Sequence, residues 1–359
     1  MLLAVSAFAG IGGLSFETLG KGLGIRELSM GEAGTANCRG AGSVFWNPAY
    51  LDSVPKNEIY LSVETLMEGA NLEQISFASP VGTYGGIGAS VILLNYPSYL
   101  KLDSDGVSLG NEGSMRDVAG TVGYGKTLFW GIQAGIGAKI FIKSVDDTAY
   151  TAFNMDAALY KPVNEMLDIG LTFRNVLPLS LKYSSEEEKF IPAARLGMLV
   201  KILENKLKIA VDTEKYFNDS QFLVYGGAEY SLGDMFFVRA GANTTGEIGA
   251  GAGFSFQDIV FDYGAGISEA MVSHKFALSY RFGGYELALK AEPDVFSPIG
   301  GNRKTYIRIT ARHKYSIYKW RLDITDGMGE IVKSWTGSGD PDSVEIWDGL
   351  RSDGMPMKE

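Results

Sequence analysis

From residue 57 to residue 283, apolar and polar side chains alternate in runs separated by short turns. In 132–143, Ile132, Ala134, Ile136, Ala138, Ile140 and Ile142 oppose Gln133, Gly135, Gly137, Lys139, Phe141 and Lys143. In 248–257, Ile248, Ala250, Ala252, Phe254 and Phe256 oppose Gly249, Gly251, Gly253, Ser255 and Gln257. Successive side chains of a strand point to opposite faces, so a period of two means strands with one apolar and one polar face. The region reads as fourteen strands, the first near 58–66 and the last near 272–282, with others at 129–143 and 148–160. Each strand with its connector takes about 16 positions, and a tilted membrane strand needs ~9–11 of them to cross hydrocarbon. An even count at that spacing predicts an all-β fold, a 14-stranded antiparallel transmembrane β-barrel over 57–283.

Closure matters because an open sheet keeps two unpaired edges, and in lipid each unpaired backbone group costs several kcal/mol. A soluble all-β protein, such as a propeller or a sandwich, also alternates. It would have to bury the apolar set of every strand in one core, and no motif recurs blade by blade. The chain has 46 glycines in 359 residues, well above the usual share of about 7%. Many fall on the polar set, where they leave room for a plug or an interior path. A net charge of −10 argues against a sequence-independent grip on nucleic acid. One Cys and two His give neither a disulfide framework nor a zinc site, so no metal and no cofactor is expected.

Both ends differ from the middle. Residues 1–9 are apolar and close with Ala7-Phe8-Ala9, the A-x-A form of a signal-peptidase site, which predicts export. Residues 10–56 show no strand alternation and are placed to fold into the lumen as a plug or hatch. After the barrel, 284–293 reads as a linker, and 294–359 as short strands parted by polar turns, a small β-sandwich.

Within the N-terminal segment, the run GIRELSMGEAG at 24–34 and the run VFWNPAYL at 44–51 resemble the N-terminal signature of the PorV/PorQ outer-membrane family. They are similar also to the related FadL-like fatty-acid transporters, whose hatch carries an Asn-Pro-Ala element. Asp168–Asn175, Ile191–Gly197, Gly226–Tyr230 and Val238–Gly241 agree in order. The resemblance implies fourteen strands in the outer membrane of a diderm bacterium. It implies either passage of hydrophobic small molecules past the plug or a PorV-like accessory that binds secreted proteins or type IX secretion subunits. A structural envelope anchor is the third reading. The tail, with Trp347-Asp348-Gly349, resembles the immunoglobulin-like module of the flagellar-hook capping protein FlgD without its final Gly-x-Tyr strand. That implies an incomplete module in the periplasm, with a periplasmic partner.

Physically, Asn47-Pro48-Ala49 reads as a tight turn, because Pro48 fixes φ and the Asn side chain can bond nearby backbone. Trp46 and Tyr50 would then anchor the plug to the lumen wall, although any loop turn beside two aromatics looks the same. The lumen faces would carry Lys139, Asp168, Arg174, Asp212, Glu229, Arg239, Asp262 and Arg281. Interleaved signs suit mutual pairing as well as a polar path or plug contacts. Two enzyme-like matches lack their context. Gly120–Thr127 fits a phosphate-binding loop, but glycines in strand period follow it, and Gly106–Gly110 fits a nucleophile elbow within a polar loop. No catalytic residue is expected.

Overall fold

The structure is a computed structural model. It describes residues 24–355 apart from 67–68, 104, 178, 184–185, 219, 234, 269–271, 284, 298–302, 314–316, 318, 327–329 and 342–343. The expected signal peptide, 1–9, lies outside the described residues. The chain divides into two compact units, Met1–Phe282 and Gly283–Glu359.

The first unit is a closed antiparallel barrel of fourteen strands, from Asn57–Thr65 to Val272–Phe282. Its first and last strands pair directly, Asn57 opposite Phe282 and Thr65 opposite His274, which removes both edges. Strand lengths run from 8 to 17 residues. At the end where the chain enters and leaves the barrel, connectors are two to five residues long. At the opposite end, 96–114 and 175–192 form long loops carrying the hairpins Tyr99–Leu102 with Ser108–Gly113 and Ser180–Tyr183 with Glu186–Lys189. The strand expected at 129–143 starts only at Gln133, because Trp130 and Gly131 turn the chain with φ of 56° and 70°. The one expected at 148–160 runs on to Asn164, with a register shift at Pro162/Asn164.

The barrel is apolar outside and polar inside. Ile75, Val122, Ile136, Phe153, Leu196, Phe261 and Phe276 are exposed on the outer face. Gln74, Ser90, Thr121, Asp156, Thr172 and Ser279 are buried on the inner one. A soluble fold would invert this arrangement; an outer wall of Leu, Val, Ile and Phe is stable against hydrocarbon. Trp130, 82% exposed, and Phe129 stand at the short-turn rim, where amphipathic rings favour a membrane–water boundary.

The described part of the N-terminal segment lies within the barrel. It contains short helices at Ile25–Ser29 and Ser43–Trp46 and 3-10 turns at Gly40–Gly42 and Pro48–Ser53. Its backbone meets glycines of the wall directly. A Cβ on Gly135 would fall on the amide of Ala49, on Gly170 on the carbonyl of Thr35, on Gly241 on Met30 and on Gly249 on the Leu28 carbonyl. Glycine permits that approach because it has no side chain.

The second unit, taken by itself, has a three-stranded sheet of Tyr285–Glu292, Thr305–His313 and Val344–Trp347, and a hairpin of Trp320–Thr325 with Ile331–Gly337. Thr305, Ile307, Ile309 and Val332 are buried, and Phe296 meets Trp347 edge-on at 5.4 Å. Within the stretch expected as a linker, Tyr285–Glu292 forms the first strand of this sheet. Its alternation of Leu287, Ala288, Leu289 and Lys290 is strand chemistry.

Two glycines on one strand face separate close approach from mere smallness. A Cβ on Gly137 meets nothing nearer than 3.9 Å, whereas on Gly135 it strikes backbone. Gly135→Ala should cost about 1–3 kcal/mol through overpacking, and Gly137→Ala within about 0.5 kcal/mol. The folded fraction on unboiled gels across a urea series measures both.

Candidate functional site

Asn47 is fully buried and ties the segment both to itself and to the wall. Its side-chain oxygen accepts from the Ala49 amide at 3.1 Å, and Pro48 opens the 3-10 turn that follows. Its Nδ2 donates to the carbonyl of Thr35 at 2.9 Å and to the carbonyl of Leu159, in the wall, at 3.0 Å. Ala49 is buried beside Tyr160. Trp46 is buried, 5.8 Å from Phe45 edge-on, with the Arg195 guanidinium 5.3 Å above its ring. Tyr50 meets Tyr160 edge-on at 5.1 Å.

The eight charges named from the sequence all lie on the inner face, and each has an opposite partner. Lys139 pairs with Asp156, Arg174 with Glu214 at 3.1 Å, and Asp168 with Lys201 at 2.8 Å. Asp212 pairs with Arg195 at 3.0 Å and Arg281 with Glu58 at 2.7 Å. Glu229 takes Lys208 at 3.0 Å, Arg239 at 2.8 Å and Arg26 of the segment at 2.7 Å, and Arg239 also reaches Asp262. Several carboxylates hold segment backbone as well. Asp212 accepts the Thr35 amide and Glu58 the Ala41 amide, each at 2.9 Å, while Arg195 donates to the Glu32 carbonyl. Sequence reasoning missed Arg26, Glu58, Asp156, Arg195, Lys201, Lys208 and Glu214. Strand parity places the wall members of that group inward; only the register shows whom they meet.

Protonation follows burial in the segment. Burial pushes the Glu27 carboxyl up, against the pull of Arg26. Burial opposes the charge on Arg26, yet Glu229 and Glu27 more than offset it and raise its pKa. Burial lifts the Tyr50 phenol and lifts the Cys38 thiol well up, so Cys38 stays a protonated packing group.

One sector of the inner wall is built of large aliphatic and aromatic side chains. At the long-loop end, Leu72, Ile92, Leu94, Ala119, Phe141 and Ala152 face inward and pack together. Cys38, Phe45 and Trp46 form their floor, and Phe190, from the loop 175–192, lies over Phe141 at 4.9 Å. The signal was present in the alternation: Phe141 is the one aromatic in a set otherwise of Gln, Gly and Lys. Gly120–Thr127 lies within the strand Met115–Thr127, and Ser108 within a hairpin, so neither motif has its catalytic context. Among the described residues no His, Cys, Asp and Glu group could hold a metal ion.

No family model matches the chain, and no curated protein matches it. Solved structures do. The toluene transporter TbuX of Ralstonia pickettii has 14% identity and a TM-score of 0.55, over 73% of this chain and 99% of its own. The toluene transporter TodX of Pseudomonas putida has 12% identity and a TM-score of 0.54, over 73% and 98%. A FadL homologue of Pseudomonas aeruginosa has 10% identity and a TM-score of 0.51, over 72% and 97%. The likeness is one of fold. It reaches across nearly the whole of each transporter.

Replacing Asn47 by Ala takes the side-chain partner from the Ala49 amide and the Thr35 carbonyl and cuts the tie to Leu159, at about 1–3 kcal/mol for buried groups left unpaired. Pro48→Gly restores backbone freedom at the same point. Both variants should keep barrel circular dichroism while amide hydrogen exchange rises across 24–54 and not in the strands.

Proposed function

We propose that the chain is an outer-membrane conduit for hydrophobic small molecules, without covalent chemistry. The observation that carries this is the inward apolar sector at the long-loop end, floored by Trp46 and roofed by Phe190, which gathers the Leu, Ile and Phe side chains of three strands on one side of the lumen. An apolar solute gains by leaving water for such a surface, at roughly 25 cal/mol per Å² removed from water. Long loops face outward in membrane barrels and short turns face the periplasm. The sector would then be the external mouth, and residues 294–359 an immunoglobulin-like module in the periplasm. The similar solved structures include two toluene transporters, which favours apolar cargo. The N-terminal segment acts as the plug, and passage requires it to shift, since it touches the wall around the whole circumference.

A second reading has its own support. The hairpin beside the mouth exposes Leu100, Val107 and Leu109, a surface suited to protein contact, and the lumen beneath it is occupied. This favours a PorV-like accessory that binds secreted proteins or secretion-machinery subunits. A deletion strain assayed for uptake of labelled apolar solute and for release of secreted protein separates the two; loss of release alone would overturn the conduit. For the conduit itself, Phe141→Asn should lower solute uptake into liposomes about tenfold or more, the equivalent of ~1.4 kcal/mol. Gel migration should stay as in wild type.

A further inference from the structure

Below the floor of the apolar sector, on the short-turn side, lies a cavity of about 210 Å³. Tyr50 and Cys38 lie between the packed cluster and the cavity: Cys38 belongs to the aromatic cluster, Tyr50 packs against it, and both line the cavity. The rest of its polar lining is Arg39, Ser53, Tyr160, Asp168 and Lys201. Asp168 is already neutralised by Lys201 at 2.8 Å. The Ser53 hydroxyl exchanges hydrogen bonds with Gln133.

Arg39 is the exception. Its side chain is exposed to this space and to a second cavity of about 120 Å³ whose charged lining is Arg26, Glu27, Glu58, Glu229, Arg239, Asp262 and Arg281. In that second space the carboxylates are taken: Glu229 holds Arg26, Lys208 and Arg239, Glu58 holds Arg281, Asp262 holds Arg239, and Glu27 lies 3.5 Å from Arg26. Arg26, Arg174, Arg195, Arg239 and Arg281 all have carboxylate partners. Among the described residues Arg39 has neither a hydrogen bond nor an ion pair. A guanidinium is a rigid fork of donors matched to two oxygens of a carboxylate or a phosphate. Left open in a cavity with a neutralised acid and two phenols, it is a ready receptor for one oxyanion.

We propose that Arg39 binds a small oxyanion, a carboxylate or phosphate group, in the cavity on the short-turn side of the segment. Two sources share that chemistry. One is the head group of an amphiphile whose chain has come down from the apolar sector, which rests on the conduit reading. The other is a free anion entering from the short-turn end, which does not.

The test is calorimetry on the full chain in zwitterionic detergent, with octanoate, octanol and inorganic phosphate as probes. Wild type is compared with Arg39→Ala and Arg39→Gln, the second keeping bulk and polarity should the first fail to fold. Removing the charge should weaken anion binding about tenfold or more and leave octanol unchanged. Loss confined to octanoate assigns the site to an amphiphile head group; loss confined to phosphate assigns it to a free anion. Wild type binding neither anion, or both variants binding as tightly as wild type, overturns the proposal. Octanol failing to bind while phosphate binding depends on Arg39 would sink the conduit and leave the anion site standing.

Discussion

The interior depends on backbone pressed against backbone. Where a barrel of this width would otherwise hold side chains or water, the amides and carbonyls of residues 28–51 lie against wall glycines such as Gly135, Gly170, Gly241 and Gly249. A side chain on any of these would hold the segment away from the wall and expose its polar groups to a space without room for a water layer. The high glycine content is therefore not a general loosening. It is the negative imprint of the segment on the sheet, with polar pairs filling the places between contacts.

Those pairs fix position more than they add stability. Taking Arg195, Asp212, Glu214 and Glu229 out of water carries a desolvation penalty that their mutual attraction only roughly offsets. What such a network supplies is selectivity of placement. Asp212 accepts one particular amide, from Thr35, and Arg195 reaches one particular carbonyl, of Glu32. A segment slid by one residue would present the wrong group to each.

Most of the wall was legible in the sequence because a period of two leaves little freedom: slip a strand by one residue and its whole apolar set turns inward. The strand pairing closes the fourteen-stranded barrel, and the solved transporters share its fold. Partners were not legible. Lys208 and Glu229 sit on different strands, and nothing local in either run signals that they are neighbours. The Asn47 turn could be read as local chemistry, but its bond to Leu159 joins residues 112 positions apart. The apolar sector was hidden for a different reason. Leu72, Phe141 and the pair Ile92 and Leu94 come from three separate strands, and each strand alone shows only one or two irregularities in its inward set.

Three buried wall carboxylates that grip the segment share a property. Glu229 has Lys208 and Arg239 besides Arg26; Glu58 has Arg281 besides the Ala41 amide; Asp212 has Arg195 besides the Thr35 amide. Each is already charge-balanced by a cation of the wall itself. Withdrawing the segment would strip hydrogen bonds from the sheet but would not strand a naked anion in it, the outcome that makes most broken buried pairs so costly. At these three buried points the sheet is electrostatically self-sufficient. Its circle can close before its contents arrive, and the contents can leave and return without the circle coming apart.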